Sequence, residues 1–144
     1  MTLNISRFGR KELLLLAVLL LADQASKALI AAAKPAIDLK LFSLRFVSNT
    51  GAVWGFFQNT NMLFIWISII AIGILIWAFD QIPEKAAPFY MMLYAGIIGN
   101  LLDRIFRGFV VDFIDFKFWP VFNFADAYIS IGVVVLIILL WKEK

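Results

Sequence analysis

Three aspartates in the C-terminal third of the chain have the residue type and spacing that acid–base chemistry requires. Asp112 and Asp115 lie in an apolar run, and Asp126 follows at the start of a second one. Two adjacent carboxylates cannot both ionise cheaply, so one keeps a proton while the other can take one from water. Such a pair can hydrolyse a peptide bond. Physical reasoning leaves Asp112, Asp115 and Asp103 open as the partner of Asp126.

The composition excludes most other hydrolytic chemistries. The chain has no cysteine and no histidine, which removes thiol nucleophiles, histidine-based triads and histidine-built metal sites. We therefore expect no metal and no cofactor. The formal net charge of +3 is small and does not indicate a surface for nucleic acid, so no nucleic-acid partner is expected.

The apolar content indicates an integral membrane protein. Of the 144 residues, 63% are hydrophobic and 16% charged, whereas soluble domains are roughly 45–50% apolar and about 25% charged. The mean hydropathy of +0.92 agrees. Because a spanning helix needs roughly 20 apolar residues, the chain accommodates four such helices in a single domain, residues 1–144. The predicted spans are about 13–33, 62–79, 86–102 and 124–141.

Two long loops, residues 34–61 and 103–123, fall on one side of this predicted bundle, opposite the termini. Each contains a β-compatible run, Leu39–Val47 and Phe109–Phe116, and these runs could pair with each other or lie at the membrane surface. Lysines and arginines are equally numerous on the two sides. The basic stretch before the first helix favours termini in the cytoplasm and long loops outside.

Several polar side chains lie within or beside the apolar segments, where they are costly. Asp23 and Lys27 are four residues apart on one helix face and could simply neutralise each other. They also interrupt the first apolar run, which argues against a cleaved signal peptide. Asn100 and Arg104 share a face of the third helix, where Asn100 could form an interhelical hydrogen bond.

Two further polar groups have a local structural explanation. The run from Asn49 through Gly51 is typical of a turn, although the Asn49 amide could also face a substrate. Asn123 is suited to be the N-cap of the fourth helix, with Asp126 favourably placed near the helix dipole. Capping explains Asn123 well and Asp126 less well.

Five separated sequence blocks together resemble the bacterial lipoprotein signal peptidases, the signal peptidase II family. The resemblance covers nearly the whole chain. The blocks are Asp23–Lys27, Asn49–Ala52, Gly99–Arg104, Val110–Phe113 and Phe122–Asp126. The sequence departs from the family pattern after Ala52, where Val53 and Trp54 replace the usual Ala and Phe.

The resemblance implies an aspartyl endopeptidase that removes the signal peptide from diacylglyceryl-modified prolipoproteins, just before the lipidated cysteine. It implies that Asp112 and Asp126 are the catalytic dyad. The substrate-binding or site-supporting residues that it implies are Asn49, Gly51, Asn100, Arg104, Asn123, Asp23 and Lys27.

The same resemblance implies a mostly α, integral membrane fold with four transmembrane helices and a small extracytoplasmic β-sheet, or cradle, formed by the long loops. A lid-like amphipathic stretch is expected near Trp54–Asn59. The implied location is the bacterial cytoplasmic (inner) membrane, multi-pass, with the site near the outer face and in contact with membrane lipid. Globomycin is the implied inhibitor, and a monomer would suffice.

Two other functional classes fit the composition. A small proton-coupled transporter would place a lone acid near the bilayer centre, whereas here the acids cluster at one membrane face. A non-catalytic assembly subunit would use the Asp23–Lys27 pair and Asn100 as contacts between helices. That second class predicts that no single acid is indispensable.

Overall fold

Four long helices make up most of the computed structural model, which describes residues 9–51 and 60–142. They are α1 (Arg10–Ala33), α2 (Asn61–Ala78), α3 (Ala87–Phe106) and α4 (Phe124–Trp141). Short 3-10 turns at Phe79–Gln81 and Glu84–Ala86 connect α2 to α3. The predicted spans therefore correspond to four helices, whose ends differ from the prediction by at most a few residues. The predicted lid at Trp54–Asn59, together with Val53, lies outside the described residues.

Within this described part of the chain, three helices are long and apolar enough to cross a membrane: α1, α2 with its following turn, and α4. The remaining helix, α3, packs against all three and carries much of the core. Its buried residues are Tyr90, Met91, Leu93, Ala95, Gly96, Gly99, Asn100 and Asp103. Because protein surrounds much of α3, it tolerates polar residues that a lipid-facing helix would not.

The two predicted extended runs pair with each other in a small antiparallel sheet. Its order is β1 (Ala36–Asp38), β2 (Ser43–Asn49) and β3 (Val110–Asp115). The edge strand β1 was not predicted, because three residues directly after a proline give no recognisable alternation. The sheet joins the two long loops on one side of the helices, as the resemblance implied.

Two features of the sheet lie next to Asp112: a register shift between β2 and β3, and a backbone bridge from β3 to the segment that precedes α4. Between the pairs Leu44–Ile114 and Val47–Asp112, two residues of β2 oppose one residue of β3, which is the pattern of a β-bulge. On its other side, β3 bonds to Phe122, whose carbonyl accepts from Ile114 N at 2.9 Å and whose N–H donates to Ile114 O at 3.0 Å. This bridge returns the chain beside Asp112 before α4 begins.

Candidate active site

Asn123 connects the two aspartates that the resemblance singled out. Its side-chain nitrogen donates to Asp112 Oδ1 at 2.7 Å, and its backbone N–H donates to Asp126 Oδ2 at 3.1 Å. Asn123 Oδ1 in turn accepts from Asp126 N at 3.0 Å. These last two bonds form a capping box at the start of α4. Capping therefore accounts for Asp126 as well as Asn123, although Asp126 still has a second oxygen.

Asp126 Oδ1 and Asp112 Oδ2 each accept a hydrogen bond from a further side-chain amide. Asn100 Nδ2 donates to Asp126 Oδ1 at 2.8 Å, and Asn49 Nδ2 donates to Asp112 Oδ2 at 2.9 Å. Each of the four carboxylate oxygens thus accepts one hydrogen bond from a nitrogen. Since a carboxylate oxygen has two lone pairs, every oxygen retains capacity for water or a shared proton.

Asp112 lies in β3, outside the spanning helices, and its side chain is nearly inaccessible. Burial raises the pKa of Asp112 to about 7, and the negative charge of Asp126 acts in the same direction. The amides of Asn49 and Asn123 and the charge of Lys27 oppose this shift. A carboxyl with this pKa carries a proton for much of the time near neutral pH, as the acidic member of a carboxylate pair must.

Lys27 is fully buried, and its three N–H donors all have acceptors. Nζ bonds Asp23 Oδ2 at 2.9 Å, Asp103 Oδ2 at 3.2 Å and Asn100 Oδ1 at 2.9 Å. The last contact fixes the orientation of Asn100, because a reversed amide would point its NH₂ at an ammonium. Asn100 is therefore held with its NH₂ toward Asp126.

The two acids that neutralise Lys27 also attach the flanking elements to it. Asp23 Oδ1 accepts from Ala125 N at 3.0 Å, in the first turn of α4. Asp103 Oδ2 accepts from Val111 N at 3.1 Å, directly before Asp112. A buried ion pair in α1 and α3 thereby positions both segments that carry the aspartates. The sequence did not predict this role of Asp103.

The structure places the third candidate, Asp115, elsewhere. It lies at the end of β3, where it forms an ion pair with Arg45 Nε at 2.7 Å. The backbone N–H of Lys117 and the side chain of Arg45 hold the pKa of Asp115 below its usual range. Lys27 and Arg107 both form ion pairs with Asp103. Of the three candidates, Asp112 is the one linked to Asp126.

Gly51 and Arg104, two other predicted site residues, lie beside these carboxylates. Gly51 N donates to Asn49 Oδ1 at 3.1 Å, an Asx turn that directs the Asn49 NH₂ toward Asp112. The Arg104 guanidinium stacks over the Phe64 ring at 5.0 Å, and Nη1 makes a long bond of 3.4 Å to Asn100 O. The structure therefore brings all nine predicted site residues into one connected region.

Gln24 and two glycines of α3 complete the region. Gln24 and Gly99 lie inside two of the five sequence blocks, but they were not predicted to be site residues. Gln24 Nε2 donates to Gly99 O at 3.1 Å and to Asp23 Oδ2 at 3.0 Å. A Cβ on Gly99 would lie 2.5 Å from Asp23 Oδ2, and one on Gly96 2.4 Å from Ala125 O. The spacing of these two small residues on one face was a detectable sign of close helix packing.

No group of His, Cys, Asp or Glu in the described residues is arranged to hold a metal ion. The region contains two carboxylates, the four N–H donors that bond them, and the neighbouring cations Lys27 and Arg104. Asp112 is in the sheet and Asp126 is the third residue of α4. The pair thus lies where the helix bundle meets the sheet, and not at the middle of a span.

Comparisons with known proteins agree with the resemblance noted in the sequence. The family model described as signal peptidase (SPase) II matches residues 15–142. The lipoprotein signal peptidase of Caldanaerobacter subterraneus is 45% identical over 98 residues, which are 66% of this chain and 68% of that protein. The lipoprotein signal peptidase of Fusobacterium nucleatum is 38% identical over 133 residues, 84% of this chain and 80% of that one.

Two solved structures of bacterial membrane enzymes share the fold. One matches with a TM-score of 0.86 and 30% identity over 94% of this chain and 90% of that chain. The other has a TM-score of 0.85 at the same identity, over 95% of this chain and 96% of that one. On the family model and these relatives together, the chain belongs to the signal peptidase II family and is a membrane-embedded peptidase.

Proposed function

We propose that this protein is an aspartyl endopeptidase that removes the signal peptide from diacylglyceryl-modified prolipoproteins, cutting just before the lipidated cysteine. Asp112 and Asp126 are the proposed dyad. The observation that carries the proposal is the double contact of Asn123, which donates to both carboxylates at 2.7 and 3.1 Å. Relatives that carry the name lipoprotein signal peptidase support the substrate class.

The proposed roles of the two acids differ. Asp112, with its pKa raised to about 7, is the protonated member that polarises the scissile carbonyl. Asp126 is the proposed ionised member, since its carboxylate lies at the N-terminus of α4 and accepts hydrogen bonds from Asn100 Nδ2 and the Asn123 N–H. The pair titrates as a unit, so these roles describe the dominant arrangement of one shared proton.

Hydrolysis then proceeds in two proton-balanced steps. Asp126 takes a proton from water as the water oxygen attacks the scissile carbon, and Asp112 gives its proton to the developing oxyanion. When the C–N bond breaks, Asp126 gives the proton that it took to the leaving amine. The gem-diol proton returns to Asp112 as the new carboxyl group forms, which restores the starting state.

The location of the dyad suits a lipid-modified substrate. A diacylglyceryl group keeps the prolipoprotein in the bilayer, so the substrate arrives by lateral diffusion, whereas the attacking water comes from the aqueous side. A site at the junction of sheet and helices is accessible to both. We propose that this junction faces the outer surface of the bacterial cytoplasmic (inner) membrane, with both termini in the cytoplasm.

The proposed mechanism requires only one copy of the chain. Both proposed catalytic acids and all their hydrogen-bond donors come from the same polypeptide, so a monomer is sufficient. The inhibitor globomycin is proposed to compete with the substrate at the dyad. The departures at Val53 and Trp54 change side-chain size but not polarity, and the proposed catalytic roles do not depend on them.

A gel-shift assay tests the proposal directly. A diacylglyceryl-modified prolipoprotein is incubated with the purified protein in detergent or vesicles, with and without globomycin. The expected result is loss of the signal peptide in the absence of globomycin and intact precursor in its presence. If a folded sample leaves the lipidated precursor uncut, the proposal is wrong and a proton-coupled transporter becomes the better explanation of the buried acids.

A further inference from the structure

An apolar pocket of about 490 Å³ lies where α1, the sheet and the start of α4 meet. This volume is within the range of pockets that hold small ligands. The proposed mechanism of hydrolysis uses none of the side chains that form its walls. These walls include Leu29 and Ile30 of α1, Leu44 of β2, Phe113 and Ile114 of β3, and Phe124 of α4.

The walls of the pocket select for an apolar occupant. Of the nine described residues that line it, eight are apolar. The ninth, Ser26, already donates its hydroxyl proton to Asp23 O at 2.7 Å. An occupant is therefore recognised through apolar contact, which suits an aliphatic chain and disfavours a polar head group.

The pocket lies close to both proposed catalytic acids. Phe113 directly follows Asp112, and Ile114 projects from the same face of β3 as Asp112 because side chains alternate along a strand. Two residues of a strand span roughly 7 Å. On α4, Phe124 precedes Asp126 by two residues, and its ring meets that of Phe113 edge to face with centroids 5.4 Å apart. A group bound in the pocket is thus within reach of a substrate held at the dyad.

The pocket also connects the level of the dyad with the level of the membrane. Leu29 and Phe124 belong to two helices that are apolar enough to span a bilayer, and they are 71% and 37% exposed. Leu44 and Ile114, by contrast, belong to the sheet, beyond the ends of those helices. Apolar surface at the sheet is covered favourably by an apolar group that would otherwise contact water. The occupant therefore extends from the sheet toward the bilayer.

The substrate of the proposed reaction carries aliphatic chains at the corresponding position. The scissile bond directly precedes the lipidated cysteine, so its acyl chains begin one side chain away from the carbonyl at the dyad. Because the dyad lies at the junction of sheet and helices, these chains have to pass from that junction back to the bilayer. The pocket provides apolar surface along this course.

We propose that the pocket binds one acyl chain of the diacylglyceryl group of the substrate, a role that rests on the proposed peptidase function. Leu44 and Ile114 cover the first part of the chain, and its remainder leaves beside Leu29 into the bilayer. This contact holds the modified cysteine beside the dyad, and a precursor without the lipid lacks it. Ile30 and Leu44 are thereby specificity-determining residues outside the five sequence blocks.

Photochemical labelling locates the chain. The Asp126→Asn protein, which leaves the substrate uncut, is placed in phosphatidylcholine vesicles with a precursor that carries a diazirine in the first half of one palmitoyl chain. We expect labelling of Leu44. Phosphatidylcholine with the same diazirine is the control and should label Ile74, which is exposed on α2, but not Leu44. Labelling of Leu44 by neither probe, or equally by both, would overturn the proposal.

A chain-length comparison tests the role of the pocket in catalysis. The ratio of kcat/KM for a dipalmitoylglyceryl substrate to that for a dibutanoylglyceryl substrate is measured. Ile30→Trp, which fills the pocket, is expected to lower this ratio about 10-fold, equivalent to the lost burial of roughly two methylene groups. Leu44→Trp fills it from the sheet and should act in the same way. Ile74→Trp, at the exposed position of α2, is the matched control and should keep the ratio.

The two assays together separate failure of the pocket from failure of the peptidase function. If Ile30→Trp and Leu44→Trp slow both substrates equally, their effect is merely structural and the proposed role of the pocket is wrong. Cleavage by the unaltered chain without labelling of Leu44 refutes the pocket alone. Absence of both cleavage and labelling refutes the peptidase function and the pocket with it. Labelling of Leu44 without cleavage refutes the peptidase function and retains the pocket as a site for an acyl chain.

Discussion

The ammonium of Lys27 lies 2.9 Å from the amide oxygen of Asn100, so a cation on α1 determines which way an amide on α3 faces. Asn100 then donates to Asp126 at 2.8 Å. The orientation of a proposed catalytic carboxylate thus depends on a charge that does not contact it through a direct hydrogen bond. Lys27 is itself fully buried and neutralises Asp23 and Asp103.

Lys27→Met is expected to destabilise the fold by about 3–5 kcal/mol, because it leaves the buried carboxylate of Asp23 without its cation and Asp103 with Arg107 alone. Thermal unfolding in detergent measures the effect, and residual activity in the folded fraction should also fall as Asn100 loses its fixed orientation. Lys34→Met is the control, since Lys34 lies at the exposed end of α1 with its ammonium over Phe46. Equal unfolding midpoints for the two variants would contradict the network.

Asp112→Asn and Asp126→Asn should each reduce cleavage by at least about 10²–10⁴-fold, the usual contribution of a positioned acid or base. Either change removes one member of the proton-sharing pair while preserving side-chain size. Asp115→Asn is the matched control three residues from Asp112, because Asp115 contacts Arg45 at the edge of the sheet. Rates are compared at equal amounts of inserted protein. Normal cleavage by either dyad variant would show that the acids are not catalytic.

The pKa of Asp112 predicts how activity changes with pH. Near pH 7 the dyad holds one proton, and raising the pH removes it, so kcat/KM should decline as pH increases through about 7. The contribution of Asp112 to the free energy of unfolding also falls as the pH rises. The pKa of Asp112 is about 7 in the folded chain, against 3.8 for an unperturbed carboxyl. Protonated Asp112 therefore stabilises the fold most below about pH 4, and this contribution is lost as the pH rises through 7.

Asn49→Leu should move the alkaline limb of the same profile to higher pH. The Asn49 amide donates to Asp112 Oδ2 at 2.9 Å and favours its ionised form, so its removal leaves the proton more tightly bound. Ser48→Ala, at the adjacent exposed position of β2, should leave the limb in place. A limb that stays fixed, or moves to lower pH, in Asn49→Leu would exclude Asp112 as the titrating group.

Much of the fold follows from the sequence because its determinants are local. The apolar runs defined four helices to within a few residues, and Leu39–Val47 and Phe109–Phe116 contained the paired strands. The bulge opposite Phe113 and the bridge of Phe122 to Ile114 were not predictable, since both depend on contacts between segments far apart in sequence. Physical reasoning alone therefore could not choose among Asp103, Asp112 and Asp115.

The supporting contacts were less predictable than the acids themselves. Asp23 and Lys27 read as a self-neutralising pair, which is correct. Their second contacts, to Ala125 and Asp103, need the relative placement of α1, α3 and α4.

A pair of glycines provides the clearest test of how tightly α3 must approach the ion pair. Gly99→Ala would place a Cβ 2.5 Å from Asp23 Oδ2, so Asp23 has to shift away from both Lys27 and Ala125 N. The expected cost is about 1–3 kcal/mol, with lower activity because the start of α4 moves. Gly73→Ala is the control, since a Cβ there meets nothing within 4 Å and should stabilise α2 by up to about 1 kcal/mol. Thermal unfolding and cleavage rate are measured on both variants. If Gly99→Ala retained the unfolding midpoint and rate of the unaltered chain, the buried carboxylate of Asp23 would not be fixing the position of α4.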